Sequence, residues 1–202
     1  MDPAIRKLID ERAYPPHCGQ SKLPAEFRAA DEARARGEYN EALELLSRCI
    51  GWQTHQRGQR LYGHLRRSMG DWDGALAAFV AARKLAGDDP FLAAEEELNL
   101  SAVYAGMLDH ESADAALRRA SDLNPESFVI VLARIASAHR QGQVSLVDEL
   151  LHEAVLKGRR DGSGETMMSL QRHIEADADF TGLAPRLAAI IMRLDTECGG
   201  NQ

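Results

Sequence analysis

Apolar residues recur along this chain at helical spacing, three and four apart, in segments of about three to four turns. Upstream segments such as "PAEFRAADEARAR", "QRGQRLYGHLRRSM", "FLAAEEELNLSAVYAGM" and "SFVIVLARIASAHRQ" each carry one apolar stripe and predict a helix. Each is followed by a short phrase and then a second amphipathic segment. The phrases are "GEYNEALELL" at 37–46, "GDWDGALAAF" at 70–79, "LDHESADAAL" at 108–117 and "GQVSLVDELL" at 142–151. They begin 33, 38 and 34 residues apart, so the chain is a run of four helix–turn–helix units rather than one irregular bundle.

Within a unit, the glycine at 37, 70 or 142 is expected to take a left-handed conformation that ends the first helix and reverses the chain. The acid after it, as in Asp71 and Asp109, is placed at the positive end of the next helix dipole. Tyr39 and Trp72 are expected to fill the corner between the paired helices. Ala42, Ala75 and Ala113 lack bulk, so the helices can approach closely there.

These positions resemble the tetratricopeptide repeat, a 34-residue helix–turn–helix unit. The third unit carries the pattern through Leu100-Ser101, Tyr104, Ala113, Leu117, Ala120 and Pro125. The second carries it through Tyr62-Gly63, Gly70, Trp72, Ala75, Phe79 and Ala82, with Pro90 three places late. The first keeps Gly37, Tyr39, Ala42, Leu46 and Cys49; the fourth keeps Gly142, Val144, Leu151 and Ala154, with Val147 for the central Ala. Two departures stand out. Leu108 occupies the turn-glycine position of unit three, and a four-residue lengthening around "AGDDPFLAAEEE" weakens the expected stacking of units two and three.

The resemblance implies an all-α, right-handed solenoid. The expected organisation is an N-terminal helix and Pro-rich loop over 1–22 and four repeats over 23–160 (about 23–53, 54–90, 91–126 and 127–160). Capping helices and a tail follow over 161–202. Ordering such chain costs about 1.5 kcal/mol per residue, and a lone helix pair leaves one face uncovered, so neighbours and end caps are required. Asp2, Pro3, Ile5, Leu8 and Ile9 predict one lid; Met167, Leu170 and Ile174, then Leu183, Leu187, Ile190, Ile191 and Leu194, predict the other. The Ile190–Ile191 pair also offers a surface for a second copy, so self-association stays open.

Composition narrows the function. Aromatics make up 5% of the chain, which suits tightly packed helices over sheets. The net charge of −7 argues against nucleic-acid binding, but it is unevenly spread: residues 1–69 sum to +3 and residues 70–202 to −10. No apolar run is long enough for a membrane span, and the charged N-terminus does not read as a secretory signal. Cys18, Cys49 and Cys198 match no metal or disulfide spacing, so a reducing cytoplasm is the expected setting.

No cofactor or metal site is expected. His152-Glu153 lacks a second His four residues on, and "DADFTG" at 177–182 has Ala188 where a calcium loop needs Glu. "DGSGE" at 161–165 lacks the Lys-Ser/Thr of a phosphate loop, and His17-Cys18 reads as part of a Pro-Pro loop. The chain therefore reads as a non-enzymatic adaptor. A bacterial secretion-type chaperone and an enzyme with a site on loops 14–22 or 158–165 are the alternative readings.

In the tetratricopeptide fold, the first helices of the units line the concave face where peptides bind. The resemblance places Arg28 and Arg34 of unit one, and Arg57, Arg60, His64 and Arg67 of unit two, on or beside it. Asn99 of unit three and His139 and Arg140 of unit four take comparable places. Arg57, Arg60, His64 and Arg67 lie three or four apart, so one helix side displays all four. They imply a groove for a protein or peptide with an acidic segment. The family's terminal-carboxylate clamp is not reproduced, because Asp31 and Leu61 stand at its Asn positions.

Overall fold

The four turns that separate the paired helices are closed by the same two backbone hydrogen bonds. Gly37 N–H donates to Arg34 O and Glu38 N–H to Ala33 O, both at 3.0 Å. The pairs Gly70–Arg67 with Asp71–Arg66, Leu108–Ala105 with Asp109–Tyr104, and Gly142–His139 with Gln143–Ala138 repeat this arrangement at 2.9–3.1 Å. The pattern needs one residue at positive φ, and Gly37, Gly70 and Gly142 supply it at 84°, 77° and 68°. In unit three Leu108 adopts φ 63° itself, with its side chain exposed.

The computed structural model describes residues 25–160, 165–176, 180 and 182–199. The N-terminal helix expected within 1–22 lies outside these residues. So do His17, Cys18, most of the 161–165 connection, Asp177, Asp179 and Thr181, and the side chains of Met167 and Cys198. The described helices are α1 (Ala25–Arg36), α2 (Tyr39–Arg48), α3 (Gln56–Ser68), α4 (Trp72–Ala86), α5 (Pro90–Gly106), α6 (His110–Leu123), α7 (Phe128–Arg140), α8 (Val144–Arg160), α9 (Glu165–Ala176) and α10 (Ala184–Gly199). A short 3-10 turn, Trp52–Thr54, joins α2 to α3. No strand occurs among the described residues, and the architecture is an all-α solenoid.

Acidic caps start the second helices of units two and three. Asp71 accepts from Gly74 N–H at 2.9 Å and Asp109 from Ser112 N–H at 3.0 Å. Asp89 caps α5 through Phe91 and Leu92 N–H, with Pro90 at the first helical position. The four extra residues between units two and three enter α5, which has 17 residues against 13 in α3 and α7.

Packing follows the repeat. Ala42, Ala75, Ala113 and Val147 are buried at the close approach, and Leu46, Phe79, Leu117 and Leu151 fill the core beside them. Trp72 reaches beyond its own corner: a Cβ on Gly106 would stand 2.3 Å from its Cζ3, so the indole lies against the end of α5. Units two and three are thus joined by direct packing, contrary to the weakened stacking expected there. At the far end, Leu170 and Ile174 of α9 and Leu187, Ile190 and Leu194 of α10 are buried with Phe180 and Leu183 against α7 and α8. Ile191 packs half-buried on the same core, so the α10 stripe covers unit four.

Candidate partner-binding groove

The first helices of units one to three lie side by side. α1 touches α3, and α3 is tied to α5 by side chains. Their basic residues divide into two groups. Arg28 is exposed, while Arg34, Arg57, His64 and Arg67 are part-exposed. Arg34 is held by Asp31, with Nε at 2.8 Å and Nη2 at 2.7 Å from one carboxylate oxygen. His64 meets the Phe79 ring edge-on, with centroids 5.1 Å apart. His55 caps α3, accepting from Arg57 N–H at 3.3 Å; burial, then the Arg57 charge, lowers the pKa of this imidazole.

Arg60 behaves differently. Only 7% of it is exposed, and its Nε donates to Glu96 at 2.6 Å while Nη2 lies 2.5 Å from Glu95. Glu96 is fully buried and also accepts from Gln56 and, at 3.1 Å, from Asn99. Burial pushes the Glu95 carboxyl above its usual range, and Arg60 opposes that shift. Next along α5, Glu97 accepts from Arg119 at 2.9 Å and lies 3.4 Å from Arg83. Arg60, expected at the groove surface, therefore serves the junction between units two and three, while Asn99 stays part-exposed and bonds Glu96 within its own helix. A buried acid is the reason: it must be neutralised, and the nearest guanidinium turns inward to do so.

Sequence reasoning missed Gln56, Glu95, Glu96 and Glu97. Their one signal is the run "EEE" crossing the otherwise apolar face of α5, where at least one acid must point inward.

Arg67 has the opposite environment. Among the described residues no side chain accepts from its guanidinium, and burial, then the nearby Arg34 charge, lowers its pKa. His139 is part-exposed and Arg140 exposed at the end of α7. At the junction to unit four the donors to an acid are neutral: Ser137 Oγ donates to Asp114 at 2.8 Å and Gln141 Nε2 to the same carboxylate at 2.9 Å.

Two solved structures share this fold. One is the crystal structure of MamA, with a TM-score of 0.58 and 16% identity over 79% of this chain and 87% of that one. The other is YrrB, described as a TPR protein with an unusual peptide-binding site. Its TM-score is 0.51, with 14% identity over 93% of this chain and 92% of that one. The chain has the fold of tetratricopeptide-repeat proteins. No family model and no curated protein sequence matches it.

Among the described residues no group of three His, Cys, Asp or Glu side chains is placed to hold a metal ion. No described helix is long and apolar enough to cross a membrane. A shallow hollow of about 360 Å³ lies at the unit-one turn between Gly37, Glu38, Tyr39, Asn40, Glu41 and Met69. Cys49 is buried, and burial, then Glu26, raises its thiol pKa, which keeps it protonated and unreactive.

Proposed function

We propose that this solenoid is a non-enzymatic cytoplasmic adaptor that holds a protein or peptide with an acidic segment along its first helices. The carrying observation is the row of basic side chains that keep solvent access on α1 and α3: Arg28, Arg34, Arg57 and Arg67, with His64 beside them. We read His139 and Arg140 of α7 as its continuation in unit four. A planar guanidinium recognises carboxylates with directed hydrogen bonds, so such a row favours an acidic, extended ligand. The likeness to YrrB, a TPR protein with a peptide-binding site, supports the use of this fold for a peptide.

The test is affinity capture from native extract with the wild-type chain and the Arg28→Glu/Arg57→Glu variant. Loss of the main captured protein, with an unchanged helical CD spectrum, is expected. Undiminished capture by the variant removes the basic row as the binding surface.

A further inference from the structure

The basic row on the first helices is interrupted at unit three. α5 contains no Lys, Arg or His, whereas α1 and α3 each carry several arginines. The repeat register shows what stands there instead. Arg57 lies thirteen residues before the unit-two turn residue Gly70, and Glu95 lies thirteen before its counterpart Leu108. Glu95 therefore takes the place in unit three that Arg57 takes in unit two. The matching residue of unit four is Val129.

Glu95 also meets α3 directly. Its Oε2 lies 2.5 Å from Arg60 Nη2, and Arg60 Nε donates to Glu96 Oε1 at 2.6 Å. One guanidinium thus answers two carboxylates, and the three side chains together carry −1. Gln56 and Asn99, the other donors to Glu96, are neutral. Glu96 is fully buried, whereas the Glu95 side chain is 31% exposed. The surplus charge accordingly lies on the acid that a ligand can reach.

We infer that Glu95 is a specificity-determining residue that excludes an acidic ligand residue at unit three, so the acidic stretch accepted by the groove covers units one and two. This rests on the acidic-ligand reading above and sets the extent of that ligand's acidic stretch. A carboxylate brought beside Glu95 is repelled, and Arg60 cannot offset this because two acids already share its charge. At that step the ligand presents a neutral or basic residue, for which the Glu95 carboxylate is an acceptor.

Peptide length separates the steps. Packed helices lie about 10 Å apart and extended chain spans about 3.4 Å per residue, so tetraglutamate covers two units and octaglutamate reaches a third. The test is fluorescence anisotropy of the full chain at neutral pH with both peptides, labelled and C-terminally amidated, and octaglutamine as control. Glu95→Gln is expected to tighten octaglutamate about fivefold and to leave tetraglutamate within about twofold of wild type. Glu44→Gln removes an exposed charge from the second helix of unit one and is expected to leave both affinities unchanged. If octaglutamate binds but Glu95→Gln leaves its affinity unchanged, or tightens both peptides equally, the specificity role is wrong and the groove reading stands. An equal gain in Glu44→Gln overturns it in the same way. If neither wild type nor Glu95→Gln prefers the glutamate peptides to octaglutamine, both readings fall. Should Glu95→Gln lose the wild-type CD spectrum, Glu95→Ala carries the same expectation and decides.

Discussion

A Cβ placed on Gly63 would stand 2.9 Å from Cε1 and Cζ of Phe79, a ring that is completely buried. The residue at 63 sets how closely α3 and α4 approach. Alanine at a helical position usually gains about 1 kcal/mol over glycine. Here the ring cannot move aside, and overpacking of this kind costs about 1–3 kcal/mol. Gly63→Ala is therefore expected to lower the urea midpoint without changing the m-value; a raised midpoint contradicts the close α3–α4 contact.

Leu108 offers the reverse case. It holds φ 63° at the unit-three turn with its side chain in solvent, where glycine stands in the other three units. A non-glycine residue in this region costs about 1–2 kcal/mol, and here little packing offsets it. Leu108→Gly is expected to raise the melting temperature by about 2–4 °C in calorimetry. A fall would mean that the exposed leucine makes contacts worth more than its strain.

The cluster on α5 is expected to act as a unit. Glu96→Ala removes the acceptor for Gln56, Arg60 and Asn99 and should cost about 3 kcal/mol, because a buried guanidinium loses one of its two carboxylates. Arg60→Met combined with Glu96→Met should recover much of that loss. Denaturation of Arg60→Met, Glu96→Met and the double gives the coupling, expected to exceed about 1 kcal/mol. Simple additivity would show that Arg60 and Glu96 do not depend on each other.

Asp109 ties stability to pH. Hydrogen bonds from Ser112 hold its carboxyl below the ordinary carboxylate range, so the folded state favours the charged form. Its contribution is complete above about pH 4, the unfolded value, and is lost as pH falls through the depressed folded one. The melting-temperature difference between wild type and Asp109→Ala should be constant from pH 7 to 5 and shrink below pH 4. A difference independent of pH would remove the carboxylate from the cap's role.

Much of the fold was legible because the forces that make it are local in sequence. A turn glycine, a cap three residues before its N–H donor and an apolar stripe are each read within one or two turns of chain. Gly37, Gly70, Gly142, Asp71, Asp109 and the alanines at 42, 75 and 113 therefore announced their places. The groove was less legible. Arginine and glutamate read as solvent-facing in any local pattern, and nothing within α3 marks Arg60 as different from Arg57 or Arg67.

What the sequence determined by itself is the repeat: four helix pairs, their turns and the residues that let each pair close. Only the tertiary structure decided how the pairs use their charges. Stacking α3 on α5 buried Glu96, and the cost of an unpaired buried carboxylate drew Arg60 inward. Burial depends on which surfaces meet across 36 residues of chain between Arg60 and Glu96. Local periodicity carries no record of that distance.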